Sequence, residues 1–527
     1  MQLSDSEGLA FSSNGDGTCY VLGLGTCTDE HIVIPEYSPN GDKVIGIGDF
    51  AFYQCGSMYS YYNTGRYALK SIVIPEGVTY IGDHAFDGCE MLEKVTLPDS
   101  LERVGVHVFP TSYIHSLKYI TYENAKYIGS ESNPYLLLLD STDKYITSCN
   151  IHEDTKIIAG AAFYACDIES IIIPENVDFI GSGVFSDCDS LKNVSISGSF
   201  KYLDGSAFSG CDNLVLNEYD NAYYLGNDND PYIFLVKAKN TSITSCEIYS
   251  GTKAIGSYAF SSCGSLTAIT IPDGVVSIGE DAFYDCKSLA SVNIPDGIEI
   301  IERSTFYNCD SLTEIIIPDS VIRISPMAFK GCNNLKNVSM SKSIEYIDSY
   351  AFDSCSVLEN FEIPNSIKSI STSVFDSCHK FSYNKYGGAY YLGNAENPYL
   401  VLMSSVTDVM SLMEINGSTK VIAAGAFSDC DKLKSITIPE GVEYICGGAF
   451  GKCESIVLPS SLKKLNESMF ENSESLETIY FTGSEEEWMM LMDGDFRYGD
   501  PLENITVIYN YVPSNENNLA IGIKKGE

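Results

Sequence analysis

Basic side chains are scarce. Against 71 Asp and Glu stand only 32 Lys and Arg, a formal net charge of -39 over 527 residues. A chain this acidic repels polyanions, which argues against nucleic acid or an anionic membrane surface as a partner. Histidine is rare too. His31, His84, His107, His115, His152 and His379 show neither zinc-ligand spacing nor a link to a nucleophile. No apolar run approaches the ~20 residues of a membrane span. The longest, such as YLLLLD and YIFLV, are strand-sized. The opening MQLSDSEGLAFSSNGDG lacks the basic and apolar regions of an export signal. Gly-rich phosphate loops are missing, and no local signature marks a carboxylate pair for glycoside hydrolysis. GNDNDPY, around Asp228 and Asp230, falls short of the ligand count of a calcium loop. No residue is therefore nominated as catalytic, cofactor-binding or metal-binding, and the expectation is a protein that is not an enzyme.

What the chain does have is repetition. Phe260, Phe283, Phe306, Phe329, Phe352 and Phe375 follow one another at 23-residue steps, each with a Cys three residues later. The unit reads L-x-x-V/I-x-I-P-x-S/G-V/I-x-x-I-x-x-x-A-F-x-x-C-x-x. Its L-x-x-I-x-I part ends in the period-two alternation of a half-buried strand. In one unit Leu312, Ile315 and Ile317 point inward, Glu314 and Ile316 outward. Proline ends the strand because it has no N–H for the ladder. A-F-x-x-C places Phe and Cys on one face of a short helical turn. Each unit can bury its apolar face only against the next. The expectation is an α/β repeat fold, a curved and elongated solenoid with one continuous parallel sheet and short helical turns on the convex side.

Three stretches depart from the 23-residue step, at about 122–151, 219–248 and 386–415. In each, two short apolar runs flank G-x-x-x-N/D-P-Y, which reads as a β-hairpin. These wide coils sit within a solenoid over 32–481. Residues 1–31 read as a capping hairpin, 482–511 as a C-terminal cap and 512–527 as a flexible tail. In the cap, Ser484 and Glu487 have capping-box spacing ahead of Trp488.

The cysteines need a bland reading before a chemical one. Of 18, thirteen occupy the ladder position after Phe. A nucleophile or metal site uses a few unique residues, not one in nearly every coil, so these read as buried packing residues. Cys149 and Cys246 fall at core positions. Cys19 and Cys27 either pair across the N-terminal hairpin or stay free. Cys446 falls outside the core pattern and is expected to be exposed.

The unit, with proline, A-F and Cys recurring together, resembles the BspA-like leucine-rich repeats of bacterial and protist surface proteins, from about Ile32 to about Tyr509. The resemblance implies an extracellular or cell-surface adhesin-like scaffold for protein–protein or protein–glycan contact. An enzyme with a site built across several coils and an intracellular scaffold are the alternatives. The partner expected is an unknown protein or glycan, with no cofactor, no membrane insertion and a monomeric chain. The candidate contact face is the outward strand rows midway along the regular run: Ser291, Asn293, Glu314, Ile316, Asn337, Ser339, Asn360 and Glu362.

Overall fold

The computed structural model describes residues 4–14, 16–55, 69–109, 116–359, 361–405, 413–428, 430, 433–465, 467–491 and 505–513. The chain winds as a parallel β-solenoid. The strand read from sequence forms as expected. Glu314–Ile316 pairs in parallel and in register with Asn337–Ser339 one coil on. Leu312, Ile315 and Ile317 are buried, while Ile316 is 71% exposed.

A second strand, not anticipated, follows the proline turn in most coils. Arg323–Ile324, for example, pairs in parallel with Ile300–Ile301 before it and Tyr346–Ile347 after it. Val321 and Ile324 anchor it, both fully buried. The expected helical turns are mostly irregular turns. Among the described residues only Thr372–Phe375, Glu467–Phe470 and Glu485–Leu491 are helical. The backbone explains this. Asp281 and Asp285, two residues either side of Phe283, both take positive φ (55° and 57°), as do Ser304 and Asn308 around Phe306 (52° and 54°). Left-handed residues at this spacing cannot continue a right-handed helix, and each costs about 1–2 kcal/mol that packing must offset.

The sheet is not continuous. The described strands fall into ten hydrogen-bonded sheets. The wide coils interrupt them. Ala222–Leu225 pairs antiparallel with Phe234–Ala238, which pairs parallel with Ala254–Ile255. The same arrangement recurs at Ala125–Ile128 with Leu137–Ser141, and at Ala389–Leu392 with Val401–Ser405. Each returning strand is a wall between two cores. Leu137 and Leu138, Phe234 and Leu235, and Val401 and Leu402 are adjacent pairs, all buried, and the two members of each pair join different apolar clusters. A strand buried on both faces reads as a continuous hydrophobic run, which accounts for LLLL, IFLV and LVLM. The core is thereby divided into four clusters.

Within each cluster the Phe rings stack, for example Phe283 on Phe306 at 5.4 Å and Phe306 on Phe329 at 5.3 Å. The ladder thiols lie beside them. Cys286 Sγ donates to the carbonyl of Phe260 at 3.2 Å, and Cys332 Sγ to that of Phe306 at 3.2 Å. Cysteine suits the position because it is small and apolar yet still a weak donor to a buried carbonyl. Burial pushes the Cys286 and Cys332 thiols up to about 12, so almost no reactive thiolate forms at neutral pH. Cys378 is half-buried, unlike the other ladder cysteines; thiol titration of the native protein is expected to leave those others unlabelled, with full labelling in denaturant. Extensive native labelling would contradict this packing.

Both ends are covered. Ala10–Ser13 and Thr18–Gly23 form an antiparallel hairpin whose second strand pairs with Lys43–Ile47. Cys19 and Cys27 are buried free thiols there. At the other end Ser484 Oγ accepts from Glu487 N at 3.1 Å while Glu487 Oε2 accepts from Ser484 N at 2.7 Å, the reciprocal capping box. The helix lays Trp488 on Phe481 and Tyr509. Of the tail, residues 514–527 lie outside the described residues. The helix Glu485–Leu491 also lies against Ala10–Ser13. The stack therefore curls until its ends meet rather than running out straight.

Candidate functional site

Curvature sets which face is concave, and it is the second strand row. This row lines a lumen of about 1830 Å³. At the position before the inward aliphatic residue stand Tyr80, Arg103, Tyr202, Arg323, Tyr346 and Tyr444. The residue after it is mostly small, as at Gly82, Gly105, Gly181 and Gly279, and backbones approach closely there. A Cβ on Gly205 would lie 2.4 Å from Gly279 Cα. The lumen is narrow enough to be bridged. Arg103 pairs with Glu299, 196 residues away, and Lys201 with Glu102 at 3.5 Å.

The lumen charges are ordered by these neighbours. Arg323 Nε donates to Asp348 Oδ2 at 2.8 Å, with its guanidinium 5.5 Å from the Tyr346 ring. Arg103 lies 4.8 Å from the Tyr80 ring. Tyr202 Oη donates to Asp204 Oδ2 at 3.1 Å, while Asp204 Oδ1 accepts from Ser206 N at 2.8 Å. Glu302 occupies the position that is glycine in several other coils. Burial, then the charges of Asp204 and Glu280, push its carboxyl up to about 8, against a smaller opposing effect of Arg323. Glu280 is also raised, by burial and by Asp281. The arrangement offers fixed acceptors, aromatic faces and one carboxyl whose surroundings favour the protonated form.

The face nominated from sequence lies elsewhere. Ser291, Asn293, Glu314, Ile316, Asn337, Ser339 and Glu362 are exposed on the first strand row, away from the lumen; Asn360 lies outside the described residues. That row is not the concave one, because the second strand is the one on the inside of the bend. Asn293 is engaged structurally: its Oδ1 accepts from Ile271 N at 2.7 Å and its Nδ2 donates to Ile271 O at 2.8 Å. Cys446, expected to be exposed, is buried. It stands at the small-residue position of the second strand, with Sγ directed at the Lys368 carbonyl, and burial raises its thiol. Sequence reasoning missed the lumen although a signal was present, a Tyr or Arg recurring at one repeat position. Such residues are enriched where proteins bind.

Parallel strands stacked coil on coil, with a Phe ladder and a proline-terminated first strand, define a leucine-rich-repeat solenoid. The chain belongs to the BspA-type leucine-rich repeat family, whose model matches residues 45–133, 141–227, 239–382 and 409–518. Among solved structures it is similar to a leucine-rich repeat protein from Bacteroides ovatus at 22% identity, covering 91% of this chain and 99% of that one, with a TM-score of 0.28. A leucine rich cell surface protein from Faecalibacterium prausnitzii is 25% identical over 72% of this chain and 93% of that one, with a TM-score of 0.26. The pneumococcal vaccine antigen PcpA is 17% identical over 97% of this chain and 98% of that one, with a TM-score of 0.21. No curated protein gave a significant match.

Proposed function

We propose that the protein is a non-catalytic interaction scaffold, adhesin-like, working at a cell surface or in secreted form and contacting a protein or glycan. Family membership supports the scaffold. The observation that carries a contact face is Ile316, which is 71% exposed in the in-register pair Glu314–Ile316 and Asn337–Ser339. Ile172 is likewise 70% exposed in Ser170–Ile172, paired with Asn193–Ser195. Apolar side chains standing among short polar ones on a rigid sheet suit the centre of an interface. Ser291, Asn293 and Glu362 would form its polar surroundings. Among the described residues no helix is long and apolar enough to cross a membrane.

The test is a panel of immobilised glycans and extracellular-matrix proteins. Retention without turnover is expected. For a retained partner, the double change Glu314→Arg and Asn337→Arg is expected to weaken binding at least tenfold in a folded variant. Unchanged affinity would move the face elsewhere, and reproducible turnover by the pure protein would overturn the reading.

A further inference from the structure

We propose that an open pocket on the row of turns beside the lumen, between Tyr258, Tyr284 and Tyr307, binds a pyranose unit of a neutral glycan. This site is separate from the first-strand face and does not depend on it.

The pocket is built from neighbouring coils. Its volume is about 470 Å³, and the three tyrosines line it together with Glu280, Asp281 and Arg303. Glu280 also lines the lumen, so the pocket adjoins its rim. Small-ligand sites commonly run from about 300 to 1,000 Å³. The backbone here is tied from coil to coil. Tyr258 N donates to the Glu280 carbonyl at 2.9 Å, Asp281 N to that of Arg303 at 3.0 Å and Asp285 N to that of Tyr307 at 2.8 Å. The walls are thus ordered before a ligand arrives, which lowers the cost of binding.

The aromatic part is not a demand of the core. Tyr284 and Tyr307 each follow a ladder Phe, where Ser261, Lys330 and Asp353 stand on nearby coils, and no other two successive coils carry tyrosine there. The two rings stack at 4.8 Å with planes 9° apart. Among the described residues Tyr284 meets no ring but Tyr307, and the coil on its other side carries Ser261. That face of Tyr284 therefore has no stacking partner. Tyr258 is 59% exposed. A pyranose has an apolar C–H face to lay on such a ring and a belt of hydroxyls around it.

The polar part decides the class of ligand. Among the described residues Arg303, Glu280 and Asp281 make no ion pair, and Arg303 is exposed. Burial raises both carboxyls, and the nearby charge of Arg303 acts against the rise at each. An anion in this pocket would meet two acidic groups, and a cation would meet the guanidinium. A neutral polyol uses both, since its hydroxyls donate to a carboxylate and accept from the guanidinium fork.

The experiment is calorimetric titration of the full chain with cellohexaose, maltohexaose, xylohexaose, mannohexaose and chitohexaose. Hexagalacturonate and deacetylated chitohexaose serve as anionic and cationic counterparts. At least one neutral hexasaccharide is expected to bind one to one. Arg303→Ala and Tyr284→Ala are each expected to weaken it at least tenfold, and Tyr284→Phe, which keeps the ring, less than threefold. The Arg303 side chain is outside the core, so its removal leaves the packing intact. Tyr145→Ala, at a tyrosine 82% exposed on the first wide coil, is expected to alter binding less than twofold. So is the double change Glu314→Arg and Asn337→Arg. Binding of no neutral sugar, or tighter binding of either charged hexamer, would overturn the ligand class. Binding that survives both Arg303→Ala and Tyr284→Ala, or that is lost with the double change on the first-strand face, would overturn the site.

Discussion

Stability is expected to fall as pH rises from 4.5 to about 8, and Glu302→Gln is expected to remove most of that slope. The Glu302 carboxyl has its folded value raised from 4.5 to about 8. Between those values the folded protein keeps a proton that the unfolded chain has released. Raising the pH through this window therefore favours unfolding, by about 1.4 kcal/mol per pH unit and about 5 kcal/mol in all. Below 4.5 both states are protonated, and above 8 both are ionised, so this contribution is flat on either side. Burial fixes the sign first, the charges of Asp204 and Glu280 add to it, and Arg323 only partly offsets them. Denaturant midpoints at pH 5, 6.5 and 8 would measure the effect. A Glu302→Gln variant with the same pH slope as the unaltered protein would refute the assignment.

Phe306→Ala is expected to cost about 3–5 kcal/mol, from lost burial and the cavity left behind. Phe306 is fully buried and stacks on a ring at each side, so both neighbours also lose a face. The loss should stay within the block that contains it, since coils couple chiefly to their neighbours. Hydrogen exchange is the measurement. Faster exchange concentrated between the second and third wide coils is expected; uniform acceleration along the chain would show that the array unfolds as one unit.

The interior was legible because burial imposes a period. Leu312, Ile315 and Ile317 alternate with outward residues, and the Phe–Cys spacing repeats with each coil. The second strand was not legible. Val321 and Ile324 are three residues apart, and only two residues pair in each ladder, so no alternation announces a strand. Curvature was hidden for another reason. It depends on how closely the backbone packs on one side of every coil, set by small residues such as Gly82 and Gly279 whose effect accumulates along the stack. The lumen charges come from coils far apart in sequence, as Arg103 and Glu299 show, and no local window contains both. Cys446 was misplaced on the same account, because its position is interior only once the second row is known.

The walls formed by the wide coils also make the molecule mechanically uneven. Inside each block, ring stacks and short ladders share a load from coil to coil. At Leu137–Ser141, Phe234–Ala238 and Val401–Ser405 the ring stack stops and one core gives way to the next across a single strand. Tension along the superhelix thus meets three joints between four stiff links. With the helix Glu485–Leu491 resting on Ala10–Ser13, the links are clasped into a loop, and a pull on both ends must part that clasp before it reaches any joint.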